Sequence, residues 1–352
     1  MNKIIYFIKK IYYKNTEKLL SDELLLKEEY LNKKYKSEQC SEGKIKIYTH
    51  QTGYSKNFTR FYTSSRVKDS NFYLVERPED ADAIVFINTI DNNIIKPGKR
   101  IILFFHEPLD YAHMYQSTID WRKIEYNSVC VVSHLSNPSL FITNPERIQY
   151  LRSIPYVHFH HMAQYSDFSV INTINRRKQV CAITSGFAGI PGYEKRRNFI
   201  EMLSAENSSL DLYGRFNKIV YNINCYRGPC ATKWKKLAEY KYNLVIENSN
   251  EEYYISEKIF DSLISGCMPI YHGSEKIFEI IPKEWFYYLP TLNATEIPAL
   301  NAFLKSDAHL LISKNREEIT DYIYERYSFY SALERILENQ PLSVSPSNNK
   351  KS

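Results

Sequence analysis

The chain has 352 residues, 43% of them hydrophobic, with 46 Lys and Arg against 40 Asp and Glu and a formal net charge of +6. That suffices for one large or two ordinary domains with a globular core, and so mild a balance argues against nucleic acid, which calls for a clustered basic face. No run of roughly 18 uncharged apolar residues occurs, so no membrane span is expected.

The chain opens "MNKIIYFIKKIYYKNTEKLL", where Lys9 and Lys10 cut the apolar run too short for a secretory signal. Ile, Tyr and Phe between Lys3, Lys9, Lys10, Lys14 and Lys18 would make a short basic amphipathic helix suited to an anionic membrane surface. A solvated or core-packed leader helix would have the same composition. Without a secretory signal, the six cysteines are expected as free thiols and the sequons at Asn57, Asn207 and Asn293 carry little meaning. Cys225 and Cys230 bracket "CYRGPC", but no second pair stands near to complete a zinc site.

Short β-branched and aromatic runs follow: "KIKIYTH" (44–50), "NFYLV" (71–75), "DAIVFIN" (82–88), "RIILFFHE" (100–107) and "SVCVVSH" (128–134). They are continuous rather than alternating, as strands buried on both faces are. A turn-rich, His-rich stretch with no clear period comes next. A second series then alternates strand and helix: "QVCAITS" (179–185), "YEKRRNFIEMLS" (193–204), "SLDLYG" (209–214), "ATKWKKLAEY", "YNLVIEN", "YISEKIFDSLIS" stopped by Gly266, and "CMPIYHG". Such alternation predicts parallel sheets with covering helices. The expected class is α/β, with two Rossmann-like domains facing a cleft. The divisions expected are 1–165, a first Rossmann-like domain with the basic leader; 166–312, a second Rossmann-like domain; and 313–340, a helical segment bridging back. Residues 341–352 read as a disordered tail.

The stretch "YNLVIENSNEEYYISEKIFDSLISGCMPIYHG" (242–273) concentrates the chemistry. A strand ending in Glu247 and Asn248 puts polar groups where open α/β sheets bind ligands. Tyr254, Glu257 and Lys258 are placed on the first turns of the next helix, sharing a face. A helix N-terminus favours anions, and a lysine beside it supplies charge for phosphate. A merely capped helix, with Ser256 at its start, Glu257 complementing the dipole and Lys258 solvated, would read the same way.

The segment resembles the signature of the α1,3/4-fucosyltransferase family, written roughly as YKFxLxFENS, then YxTEK, then GxxPVxxG. Order, the spacing from Asn248 to Glu257 and the Gly266–Pro269 motif all match. "RRNFIEML", "DLYG" and "YLRSIPYVHF" (150–159) add likeness, so that it covers roughly 150–290. Ser256 stands where the family has Thr, and Met268-Pro269-Ile270 replaces Val-Pro-Val. The resemblance makes 166–312 the GDP-sugar donor-binding domain and 1–165 the acceptor-binding one, and the acceptor half departs more. The resemblance implies a GT-B fold and transfer of fucose from GDP-fucose with inversion and without a bound metal or other cofactor. It further implies that Arg196 and Lys258 hold the diphosphate, while Asn248, Tyr254 and Glu257 orient nucleotide and sugar. A leaving diphosphate without a metal needs fixed cations aimed at the developing charge. The resemblance picks Arg196 over Arg197 because Arg196 aligns with the family's arginine; a helix sets the two about 100° apart, so one alone faces the cleft.

The general base is expected from the other half. "LFFHEPLDYAHMY" places Glu107 at the end of a buried strand, with Pro108 keeping it out of a helix. It resembles the family's catalytic glutamate; a capping or ion-pairing role for Glu107, or His106 as the base, are the competing readings. Three decoys are set aside. Asp80-Ala81-Asp82 precedes its strand and reads as a turn rather than a metal motif. "HFHHM" (158–162) lacks acidic or Cys partners, and "HEPLDYAH" cannot form H-E-x-x-H because Pro108 forbids its helix. The expected partners are a GDP-sugar and a glycan, with no nucleic acid. The expected location is the cytoplasm, with membrane contact through residues 1–20 at the inner membrane. A non-catalytic nucleotide or glycan binder of the same fold is the non-enzyme alternative.

Overall fold

The computed structural model describes residues 43–51, 71–75, 77–109, 119–124, 126–136, 148–153, 174–184, 191–214, 224–230 and 233–338. The leader, the His158–Met162 run and the tail lie outside the described residues. Strands β1 (Ile45–Gln51), β2 (Phe72–Leu74), β3 (Ala83–Ile87), β4 (Arg100–Phe105), β5 (Ser128–Ser133) and β6 (Gln149–Arg152) form one sheet in the order β2-β1-β3-β4-β5-β6. Every pairing in it is parallel. The continuous apolar runs have the expected cause: Val85, Ile102, Phe104 and Val132 pack on one face, Ile84, Phe86, Leu103 and Val131 on the other. Successive side chains alternate faces, and here both faces are buried.

A second sheet has the order β12-β11-β10-β7-β8-β9, again all parallel. Its strands are β7 (Lys178–Ile183), β8 (Leu210–Tyr213), β9 (Tyr226–Gly228), β10 (Tyr240–Ile246), β11 (Met268–His272) and β12 (Tyr287–Tyr288). Helices α1 (Pro191–Glu206), α2 (Lys233–Ala238), α3 (Glu257–Ile264), α4 (Ile277–Ile280), α5 (Ile297–Leu304), α6 (His309–Lys314), α7 (Arg316–Tyr327) and α8 (Phe329–Leu337) complete the described elements. Gly266 ends α3 at φ 69, a left-handed conformation, and a Cβ there would stand 2.4 Å from Nη2 of Arg176. That guanidinium donates to the carbonyls of Ala238, Tyr240 and Ser265, tying the start of β10 to the end of α3.

Two expectations need correction. The helical segment expected over 313–340 is broken rather than continuous: Ser328 turns extended (φ −70, ψ 148) and its hydroxyl accepts from the Ser331 amide, capping α8 afresh. Ala332, Leu333, Ile336 and Leu337 of α8 then pack against the first sheet. The stretch around 150 also contains a strand, β6, half exposed at the sheet edge and paired only with β5. Asp80 closes a short 3-10 turn and ion-pairs with Arg77 at 2.8 Å, while Asp82 accepts from the Lys46 amide, so Asp80-Ala81-Asp82 is the turn into β3.

Candidate active site

The two sheets meet at the carboxyl ends of their strands. Asn88 follows β3, His106 and Glu107 follow β4, and His134 follows β5; from the other sheet, Glu247 and Asn248 follow β10. Glu251 joins the two halves. Its carboxylate accepts from the Leu109 amide at 2.9 and 3.1 Å and lies 3.1 Å from Nε2 of the fully buried His134. Burial opposes its ionisation, yet the bonds from His134, Ser249 and the Leu109 amide hold its pKa below the usual range. Beside it Arg152 pairs with Glu252 at 2.6 Å and lies 4.6 Å over the Tyr253 ring.

Glu247 is the buried centre of a charged cluster at the carboxyl end of β10. It accepts from the Ser256 amide and hydroxyl at 2.8 and 2.9 Å and pairs with Nζ of Lys258 at 2.9 Å. Ser256 is the N-cap of α3, its hydroxyl accepting from the Lys258 amide, and it also accepts from Nζ of Lys258 at 2.7 Å. Lys258 is therefore not a solvated residue. Burial works against its charge, but Glu247 and Glu257 outweigh that and raise its pKa. Glu257 opens α3 and pairs with Lys233 of α2 at 3.5 Å, which also bonds Asp261 at 2.6 Å.

Arg196 lies buried on α1, whereas Arg197 turns outward toward Glu201. The Arg196 guanidinium donates to Oδ1 of Asn248 at 2.8 Å and to the Ile246 carbonyl at 3.3 Å, stacked 4.7 Å from the Tyr193 ring centre. Asn248 in turn donates to the Tyr193 hydroxyl at 3.1 Å. This close join requires Gly192: a Cβ there would lie 1.8 Å from the Asn248 carbonyl oxygen.

Tyr254 departs from its expected place. It precedes α3 rather than standing on its first turn, is 3% exposed, and packs edge-on against His134 at 5.1 Å between ring centres. Burial raises its hydroxyl pKa well above the ordinary value, with Glu247, Glu107 and Glu257 adding to it. Glu107, from the first sheet, feels Lys258 and Glu257 of the second. Desolvation raises its pKa, Lys258 opposes that and Glu257 adds to it. Its neighbour His106 is pushed by burial down to about 3, which makes it neutral and a feeble base at pH 7.

The segment that builds the cluster around Glu247, residues 173–306, matches the family described as glycosyltransferase family 10 (fucosyltransferase) C-term. Over these residues the chain is similar to the C-terminal domain of the family 10 fucosyltransferases. A fucosyltransferase-like protein of Arabidopsis thaliana is 31% identical over 135 residues, 38% of this chain and 25% of its own. A protein of Acanthamoeba polyphaga mimivirus that bears a fucosyltransferase name is 22% identical over 278 residues, 73% of this chain and 41% of its own. The chain thus spans a quarter to two fifths of the length of these relatives. Among solved structures, an α1,3-fucosyltransferase superposes with a TM-score of 0.50 at 15% identity, covering 88% of this chain and 96% of its own. A DNA-modifying β-glucosyltransferase gives 0.53 at 10% identity, covering 84% and 99%. Both likenesses are of fold, and the fold is GT-B.

Arg196, Asn248, Glu257 and Lys258 lie near one another at the carboxyl end of β10, and Glu107, after β4, lies within electrostatic reach of Lys258 and Glu257. Three participants escaped the sequence reading, Asn88, Glu251 and Lys233, and Glu247 was read as a strand-end polar group but not as the partner of Lys258. Glu247 had a legible signal, a carboxylate closing an otherwise buried strand run. Lys233 had none, since its partners Glu257 and Asp261 lie on a different helix.

Proposed function

We propose that this chain transfers L-fucose from GDP-fucose, with inversion, to a hydroxyl of a glycan acceptor. The observation that carries the reading is the placement of Glu107 on one sheet within electrostatic reach of Lys258 and Glu257 on the other. In the reaction, the acceptor oxygen attacks the sugar's C1 while Glu107 takes its proton. The bond from C1 to the diphosphate oxygen breaks, and GDP leaves with the electron pair. Arg196 and Lys258 supply the positive charge toward which the diphosphate develops its own. Two of the three N–H groups of Lys258 are engaged, by Glu247 and Ser256, and the third is the one we assign to phosphate. Glu257, held by Lys233, faces the sugar ring, and Asn248 the nucleotide. The acceptor we favour is a GlcNAc or glucose unit of a cell-surface glycan precursor such as lipopolysaccharide, reached at the inner face of the membrane with residues 1–20 as the contact.

The test is transfer and hydrolysis measured across a panel of GDP-sugars, with EDTA in parallel. GDP-fucose should be turned over fastest, and EDTA should leave the rate nearly unchanged. Preference for another GDP-sugar would correct the donor. Loss of turnover with EDTA, restored by manganese, would remove the metal-free mechanism, and GDP-sugar binding without turnover would leave a non-catalytic protein. Lys258→Ala or Arg196→Ala should weaken GDP binding by about 1.5–3 kcal/mol, the range for hydrogen bonds to charged groups, as read by calorimetry.

A further inference from the structure

Asn88 closes β3 with a backbone that non-glycine residues rarely adopt, at φ 62. Its amide nitrogen donates to the Phe104 carbonyl at 2.8 Å, so the residue is pinned to the neighbouring strand β4. Its side chain then reaches the loop after β4 twice. Oδ1 accepts from the His106 amide at 2.9 Å, and Nδ2 donates to Oε1 of Glu107 at 3.3 Å. The orientation of the side-chain amide follows from chemistry: a backbone N–H can only donate, so Oδ1 must face His106 and Nδ2 must face Glu107. Asparagine tolerates the left-handed conformation better than most side chains because its short polar group bonds locally. Glycine would share the backbone but supply neither bond. Aspartate would keep the acceptor for His106 and present a negative charge to Glu107.

We infer that Asn88 is a positioning residue that pins Oε1 of Glu107, leaving Oε2 to take the proton from the acceptor hydroxyl. This rests on the reading of Glu107 as the base. A carboxylate on two free torsions would spread over several orientations, and one fixed oxygen removes most of them. The bond also favours the ionised form that a base must have, offsetting part of the desolvation that burial imposes. The other groups that act on this carboxyl are Lys258, Glu257 and Tyr254, all on the opposite side of the cleft.

The experiment compares Asn88→Gly and Asn88→Asp with the full-length parent and with Glu107→Gln, using GDP-fucose and a GlcNAc-containing disaccharide. Asn88→Gly should lower kcat by about 10- to 100-fold, the worth of a hydrogen bond to a charged group. The KM for GDP-fucose should hold, and the acid limb of the kcat profile should move to higher pH. Asn88→Asp should move that limb further. In a Glu107→Gln background, Asn88→Gly should cost nothing more, because the two act as one unit. A readout free of turnover is the Glu107 carboxyl in a carbon-13 NMR titration, assigned by its loss in Glu107→Gln. Its pKa should rise in Asn88→Gly. Unchanged kcat and carboxyl titration in Asn88→Gly, beside an inactive Glu107→Gln, would overturn the inference while leaving the base in place. An equal further loss in the Glu107→Gln background would reduce Asn88 to a support of the chain path. Near-normal turnover in Glu107→Gln would instead remove the base itself.

Discussion

At the scale of single residues, the cluster around Glu247 is a set of compensated charges. Lys258 is one-fifth exposed, and its partner Glu247 is completely enclosed. A buried carboxylate persists only when its lone pairs are met, and Ser256 and Lys258 meet those of Glu247. Because Lys258 has a raised pKa when folded, the pair's contribution is full below the ordinary lysine range. It is lost as pH rises through the higher folded value. Glu247→Gln should therefore destabilise at neutral pH by about 3 kcal/mol, the low end for breaking a buried ion pair, since part of Lys258 still reaches water. Urea unfolding would check it; an unchanged midpoint would mean that solvent or Glu257 replaces the partner. The base can also be read from pH. Glu107 is raised and His106 depressed to about 3. The acid limb of kcat/KM should lie above the ordinary glutamate value of about 4.3, since activity requires the ionised carboxylate. A limb at the depressed histidine value would favour His106.

At the scale of elements, the join between α1 and the end of β10 sets where Arg196 meets Asn248. Gly192→Ala would press a methyl into the Asn248 carbonyl at a nominal 1.8 Å, and backbone cannot yield as a flexible side chain does. The cost should be about 1–3 kcal/mol, the usual range for overpacking, together with weaker GDP binding as Asn248 shifts. Thermal unfolding and calorimetry on the same variant would show both effects, or neither if α1 slides as a body. Much of this level was legible. Strands such as Ala83–Ile87 and Arg100–Phe105 announce themselves because burial on two faces demands unbroken apolar runs. Gln149–Arg152 does not, because an edge strand half open to solvent can be built from polar residues. The placement of Tyr254 was illegible for another reason. Helical spacing from Glu257 continues backward through Ser256, but the N-cap ends the helix there and leaves Tyr254 in the loop that packs on His134. Asn88 was visible as the polar residue ending an apolar run. Its left-handed backbone and its reach to Glu107 depend on the register of β3 beside β4, which only the sheet supplies.

At the scale of the whole molecule, two of the connections between the halves among the described residues bear most on the site. Helix α8 returns to the first sheet and buries Leu333 and Ile336 against Val85, Phe104 and Val132. Leu333→Ala should cost about 2–5 kcal/mol of stability, as large-to-small core substitutions do, without touching any cleft residue. Denaturant unfolding followed by calorimetry with GDP would test it. A variant that unfolds earlier yet binds GDP normally is expected, and one with unchanged stability would show that α8 is not part of that core. The second connection is the carboxylate of Glu251 on Leu109 and His134, which brings the strand ends of the two sheets together. That approach is what the proposed mechanism needs, a base on one sheet serving a donor held by the other. The most direct measurement is turnover and GDP affinity in Glu107→Gln, which keeps the side chain's shape and hydrogen bonding but cannot accept the acceptor's proton. Turnover should fall by about 10²–10⁴-fold, the share of general-base catalysis, with GDP affinity unchanged because Arg196 and Lys258 lie on the other sheet. Near-normal turnover, or a loss of GDP binding that accounts for the whole defect, would contradict it.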